Sequence, residues 1–189
     1  METGLLKEGS LVMDIDIRRP KIEDKDELHR FFRDVIIDTF AKEGIAHLTK
    51  DIDEEIETKK SYLHSDYESG GKNRYFLIAS HNKTIVGTIE YGPASGLICK
   101  MNNAFCDLVE IGTVFVHPKY QRKGIGALLL QSILTILKDG NIEEFCLDSG
   151  YKNAQKYWKN KFGNPDVILK DYWGESFDHM IWRIKVPKN

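Results

Sequence analysis

The amino-acid sequence predicts an α/β protein with a mixed central sheet and helices on both of its sides, and three observations carry that prediction. Segments of period 2 and period 3.6 follow one another in the order β-α-α-β-β-β-α-β-α-β-β. A chain of 189 residues, 41% hydrophobic and 30% charged, can bury one sizeable core. Between Val114 and Leu129 an apolar strand runs through a glycine-bearing turn into an Ile/Leu-rich helix, a unit able to cradle a diphosphate.

Met1 to Met13 carries little pattern and is assigned to an N-terminal extension open to disorder, leaving 14–189 as a single domain. Asp14 to Arg18 alternates as a strand should, and Pro20 ends it. Asp24 is the expected N-cap of a helix whose apolar positions Leu28, Phe31, Phe32, Val35, Ile36 and Phe40 keep helical spacing until Gly44. A weaker helix covers Asp53 to Tyr67. Gly70 and Gly71 break the chain before two strands, Tyr75–Ser80 and Thr84–Tyr91, joined at Asn82-Lys83.

Pro93 to Ala104 is less regular and reads as a lid or an edge segment. Asp107–His117 is the strand before the glycine turn, and Gly124–Lys138 is an amphipathic helix with Ile125, Leu128, Leu129, Ile133, Ile136 and Leu137 on one face. A short strand at Glu144–Asp148, a helix at Asn153–Phe162 and a final strand pair, Val167–Tyr172 and His179–Val186, complete the pattern.

Composition narrows the function. A formal charge of −2 argues against broad nucleic-acid affinity, and the longest apolar stretch, Gly126 to Leu137, is too short to span a bilayer. No metal is expected: Cys99, Cys106 and Cys146 are odd in number and lack ligand spacing. They read instead as buried, unpaired thiols in a reducing, cytoplasmic setting. Charge is uneven along the chain. Between Lys21 and Glu68 we count fourteen acids against eight bases, whereas Lys119, Arg122 and Lys123 cluster at the glycine turn. That asymmetry suits an anionic cofactor and a cationic acceptor, although acids that merely solvate two helix faces would give the same count.

Three nucleotide motifs can be tested at the turn. A Walker loop needs Gly-Lys-Ser/Thr, which is missing, and a dinucleotide fingerprint needs a third small residue where Leu129 stands. What remains is an apolar strand, Pro118, Gln121-Arg122-Lys123-Gly124-Ile125-Gly126-Ala127 and an apolar helix. This resembles the GNAT superfamily of N-acetyltransferases, whose acetyl-CoA loop reads Gln/Arg-x-x-Gly-x-Gly/Ala.

The resemblance implies a largely antiparallel sheet in which the strand before the loop and the strand after its helix are parallel and splay apart, here Asp107–His117 and Glu144–Asp148. It implies that Gln121, Arg122, Lys123, Gly124, Ile125, Gly126 and Ala127 hold the pyrophosphate of acetyl-CoA. Main-chain groups of Val114, Phe115 and Val116 would bond the pantetheine arm, with the Val116 N–H as the expected oxyanion donor. Asn153 matches a pantetheine ligand of the family, the alternative being a helix N-cap. Members often dimerise, which makes a homodimer an expectation here too.

Acyl transfer to an amine requires a neutral amine, and deprotonating a lysine-like group at pH 7 costs about 4.6 kcal/mol. Glu110 is the first candidate for the general base, because family members carry a glutamate on this strand eleven residues before the loop glutamine. On a regular strand Glu110 shares its parity with Val114 and Val116, while a bulge at Gly112 would turn it to solvent. The thiolate-protonating tyrosine of the family is blurred, since Phe162-Gly163 reverses the usual Gly-Phe. Counting from Phe162 selects Tyr157, counting from Ala154 selects Trp158, and Tyr151 is a weaker substitute. His179 is an alternative base. The implied activity is direct transfer of an acetyl group from acetyl-CoA to a small-molecule or peptide amine in a ternary complex, with no nucleic acid, membrane or metal involved. The alternative is a catalytically idle acyl-CoA-binding module.

Overall fold

The structure, a computed structural model, describes residues 2–8 and 11–187, with side chains from residue 13. Its residues group into two compact units, Met1–Tyr91 with Thr113–Ile136, and Gly92–Gly112 with Leu137–Asn189. Within the described residues the fold is mixed α/β, a mostly antiparallel sheet with one parallel pair and flanking helices.

In the first unit the strand order is β1 (Glu2–Glu8), β2 (Leu11–Arg18), β3 (Tyr75–His81), β4 (Thr84–Pro93) and the second half of β5 (Val109–Val116). β1 pairs antiparallel with β2 from Glu2↔Ile17 to Glu8↔Leu11, a hairpin in a segment whose sequence carries little pattern. β2/β3 and β3/β4 are antiparallel. The β3–β4 turn places Asn82 and Lys83 both at positive φ, as a two-residue hairpin turn requires. His117 N donates to Val86 O, and the Thr88 hydroxyl to Thr113 O, so β4 and β5 also run in opposite directions.

Helix α1 (Lys25–Lys42) buries Leu28, Phe31, Phe32, Val35, Ile36 and Phe40, each worth roughly 1.5–3 kcal/mol against exposure. Gly44 at φ +77 ends it, and Ile45 N bonds Phe40 O to close a Schellman-type cap. Asp24 occupies the N-cap position but makes no side-chain cap. Its carboxylate accepts from Arg18 at 2.7 and 3.0 Å and from Lys21 N at 2.7 Å, because a guanidinium fork outcompetes a single amide. Helix α2 (Thr49–Ser69) extends beyond the predicted span at both ends. Its fully buried Asp66 ties it to β2 and β3 by accepting from Arg19 Nη2 at 2.7 Å and Phe76 N at 3.0 Å.

In the second unit the order is the first half of β5, β6 (Glu144–Ser149), β8 (His179–Lys185) and β7 (Val167–Leu169). β5 and β6 are parallel, registered at Val109↔Phe145 and Glu110↔Cys146, and β6/β8 and β8/β7 are antiparallel. Beyond Pro93, the end of β4, the stretch 94–106 is neither strand nor open loop. Helix α3 (Gly96–Met101) and a 3-10 turn at Asn103–Phe105 seat Ile98 and Phe105 in a core cluster with Cys146 and Ile181. That arrangement overturns part of the cysteine reading. The helical turns return Cys106 to within 4.9 Å of Cys99 between Cα atoms, and the two are joined as a disulfide, leaving Cys146 as the buried free thiol. Among the described residues no helix is long and apolar enough to cross a membrane.

Candidate active site

In the first unit, β5 and helix α4 (Ile125–Asp139) present two sets of backbone donors, separated by residues 117–121, where Pro118 has no N–H and the others donate to Val86, His117 and Pro118. Leu128 N bonds Gly124 O, so the N–H groups of Gly124, Ile125, Gly126 and Ala127 precede the first intrahelical bond. Their partial positive charge adds to the helix macrodipole at the same end. Gly124 sits at φ +81 and Arg122 at φ +62, the left-handed conformations that turn successive amides toward one side as an anion nest does. Arg122 is exposed, and the Lys123 ammonium lies 5.8 Å above the Tyr120 ring.

Gln121 links the turn to the strand. Its Nε2 donates to Val116 O at 3.2 Å, and its Oε1 accepts from Lys42 at 3.1 Å. Strand amides alternate in direction, and His117 N points at β4, so the N–H groups of Val116 and Val114 face away from β4. The predicted cofactor residues Val114 to Val116 and Gln121 to Ala127 thus lie together in one unit. The helix packs closely on the sheet because β4 has Gly87 beneath it, where a Cβ would stand 2.9 Å from Leu129 Cδ1.

The strand is irregular at Thr113 (φ +49), one residue beyond the glycine at which the alternative to a regular strand placed a bulge. A β-branched residue in the left-handed region is a genuine outlier, costing about 1–3 kcal/mol. The parity argument that aligned Glu110 with Val114 and Val116 therefore does not carry across it. Beneath Thr113 lies a buried polar group that sequence reasoning missed. Glu90, 1% exposed, accepts from the Thr113 hydroxyl at 3.0 Å and from Arg74 Nη1 at 2.6 Å, and the Arg74 guanidinium lies 3.7 Å over the Tyr62 ring. Burial pushes the Glu90 carboxyl up while Arg74 and Lys59 pull it down. The available signal was a lone acid in an otherwise apolar and small-residue strand, Ile85 to Ile89.

The second unit holds the proton-transfer candidates. Glu110 is half-buried, and its Oε2 accepts from Ser95 N at 2.6 Å just ahead of α3, which fixes the carboxylate's orientation. On helix α5 (Lys152–Phe162), Trp158 is buried and stacks on Phe162, whereas Tyr157 is 41% exposed. The helix thus turns Tyr157 outward, and partial burial pushes its hydroxyl up from the usual tyrosine value. Asn153 is exposed in the first turn, and Tyr151 holds the N-cap position.

His179 is 4% exposed, with both ring nitrogens engaged. The Trp173 indole N–H, which can only donate, reaches Nδ1 at 3.0 Å, so Nε2 carries the proton and donates to Asp148 at 3.0 Å. A ring held this way has no lone pair to offer a substrate. Cys146 is fully buried, and burial together with Glu110 and Asp148 pushes its thiol up to about 12, which leaves it un-ionised at neutral pH. No group of three or more His, Cys, Asp or Glu side chains is arranged to hold a metal among the described residues.

Sequence comparison gives this strand, loop and helix a family. The profile described as "Acetyltransferase (GNAT) family" matches residues 41–163, and the chain belongs to that family. No curated protein matches the chain significantly in sequence. Among solved structures it is similar to PaiA N-acetyltransferase from Thermoplasma acidophilum in complex with coenzyme A, at 22% identity and TM-score 0.66, covering 92% of this chain and 99% of that one. Aminoglycoside 6'-acetyltransferase type Ii is similar at 13% identity and TM-score 0.64, with 92% and 99% covered. Ribosomal-protein-alanine N-acetyltransferase from Brucella melitensis is similar at 18% identity and TM-score 0.65, with 90% and 99% covered. Enzymes named for acceptors as unlike as an aminoglycoside and a ribosomal-protein alanine share this fold, so the fold does not select the acceptor.

Proposed function

We propose that this chain is an acetyl-CoA-dependent N-acetyltransferase that moves an acetyl group to a primary amine by direct attack in a ternary complex. The observation that carries the reading is that the Val114 and Val116 N–H groups, turned away from β4, and the Gly124 to Ala127 N–H groups, ahead of the first intrahelical bond, lie in one unit with Gly124 at φ +81 and Arg122 exposed. Gly124 to Ala127 would hold the diphosphate by backbone N–H groups, with Arg122 and Lys123 adding charge. The strand amides at 114 and 116 would bond the pantetheine arm, and the Val116 N–H would receive the developing oxyanion. Acetyl-CoA supplies the activated acyl group.

Glu110 is the proposed base, its orientation fixed by Ser95 N, and Tyr157 the proposed acid, protonated at neutral pH as that role requires. Asn153 is a proposed pantetheine ligand. An acetyl-cysteine route is disfavoured by the protonated, buried Cys146. The acidic balance of residues 21–68, fourteen acids against eight bases, favours a cationic acceptor, although Asp38, Glu54, Glu55 and Glu57 are each paired with a lysine of their own helix. The reversal at Phe162-Gly163 feeds the second reading, an idle acyl-CoA-binding module.

The test is CoA release with a panel of primary amines for wild type and Glu110→Gln. Turnover that falls at least tenfold in the variant, with intersecting initial-velocity lines, supports the enzyme. Cofactor binding without turnover on any amine supports the module instead.

A further inference from the structure

The conformation of Thr113 demands an explanation that core packing does not supply. Glycine is the ordinary occupant of a left-handed position, and Gly112 stands one residue away, yet it is a β-branched threonine that adopts φ +49. Two bonds hold it there. Its hydroxyl donates to Glu90 Oε1 at 3.0 Å, and its carbonyl accepts from the Thr88 hydroxyl at 2.9 Å, all of these groups being buried. Glu90 is itself anchored by Arg74 at 2.6 Å. A buried ion pair is a poor way to gain stability, because apolar residues of similar volume usually do as well. What it does confer is a fixed geometry at the residue immediately before the N–H groups of Val114 and Val116.

We propose that Glu90 is a positioning residue: through the Thr113 hydroxyl it locks the strand irregularity that aims the 114 and 116 amides at the acyl end of the cofactor. Glu90 touches no reacting atom in this scheme. The proposal deepens the acetyltransferase reading and rests on it.

The experiment follows the backbone amide of residue 114 by ¹⁵N NMR, taking its shift with acetyl-CoA minus its shift with CoA, a readout that needs no acceptor. Wild type is expected to show a clear difference. Thr113→Val removes only the hydroxyl bond and should reduce that difference to under about a third, while the Kd for CoA, set by the loop, stays within about twofold. Thr113→Ser, which keeps the hydroxyl, should restore it. With a reactive amine, Thr113→Val should lower kcat about tenfold at nearly unchanged KM for acetyl-CoA, a split that mere loss of stability does not produce. If Thr113→Val does not fold, the double variant Glu90→Leu/Arg74→Met removes both charges together and carries the same expectation. A Thr113→Val or double variant that keeps the wild-type shift difference overturns the proposal, as does a wild type that binds both ligands without any difference at 114. A wild type that binds neither ligand brings down the acetyltransferase reading itself, and the proposal with it.

Discussion

Gly87 and Leu129 are in such close contact that a Cβ on Gly87 would stand 2.9 Å from Leu129 Cδ1, and it would also meet Phe115 O at 3.2 Å. Leu129 is fully buried and Phe115 O is backbone, so neither yields cheaply. Gly87→Ala is therefore expected to lower stability by about 1–3 kcal/mol and to weaken CoA binding by displacing the start of α4. Thermal unfolding and calorimetry check the two parts separately.

Gly124 and Gly126 should respond differently to alanine. Gly124→Ala forces a side chain into φ +81, a strain of about 1–2 kcal/mol, and should weaken CoA about tenfold. At Gly126 a Cβ would lie 3.7 Å from Val116 Cγ2, an ordinary contact. Gly126→Ala should therefore stay within about threefold of wild type in CoA affinity. Equal losses at both positions would show that close backbone approach, rather than the left-handed turn, limits binding.

Most helices and strands were legible because their periodicity is strong. Leu28 to Phe40 and Ile125 to Leu137 repeat at helical spacing, and both helices form within a few residues of the expected bounds. The turn into α4 was legible because a glycine stands where the chain turns left-handed, Gly124 at φ +81. Three things were not. Strand β1 exists by pairing with β2, which no local pattern announces. The Cys99–Cys106 disulfide depends on α3 folding the chain back, and with it the argument for a reducing compartment from unpaired thiols loses its support. Glu90 and Thr113 are distant in sequence, and their bond follows from β4–β5 pairing and an irregularity at Thr113 that the regular-strand reading did not include.

Acid should loosen the start of α1. Arg18 beside Asp24 holds its carboxyl below the ordinary aspartate value of 3.8. A folded-state value below the unfolded one means the stabilisation is complete above 3.8 and fades as pH falls through the lower, folded-state value. Asp24→Asn should cost about 1–2 kcal/mol at pH 7, a gap that closes in strongly acidic solution. Denaturant titrations of both proteins at several pH values measure it, and a gap independent of pH would contradict the assignment.

Cys146 should be dispensable for chemistry. Its thiol, pushed up to about 12 in the core cluster, is neither ionised nor exposed. Cys146→Ala is expected to lose about 1 kcal/mol of stability while retaining turnover and intersecting kinetics. Parallel initial-velocity lines in wild type, abolished in the variant, would instead identify an acyl-enzyme.

The most direct measurement is isothermal calorimetry of the purified chain with CoA and with acetyl-CoA. A cradle made of the Gly124 to Ala127 amides predicts saturable one-to-one association with both ligands, weakened about tenfold by Gly124→Ala. No detectable association with either, under conditions where the protein is folded, would contradict it.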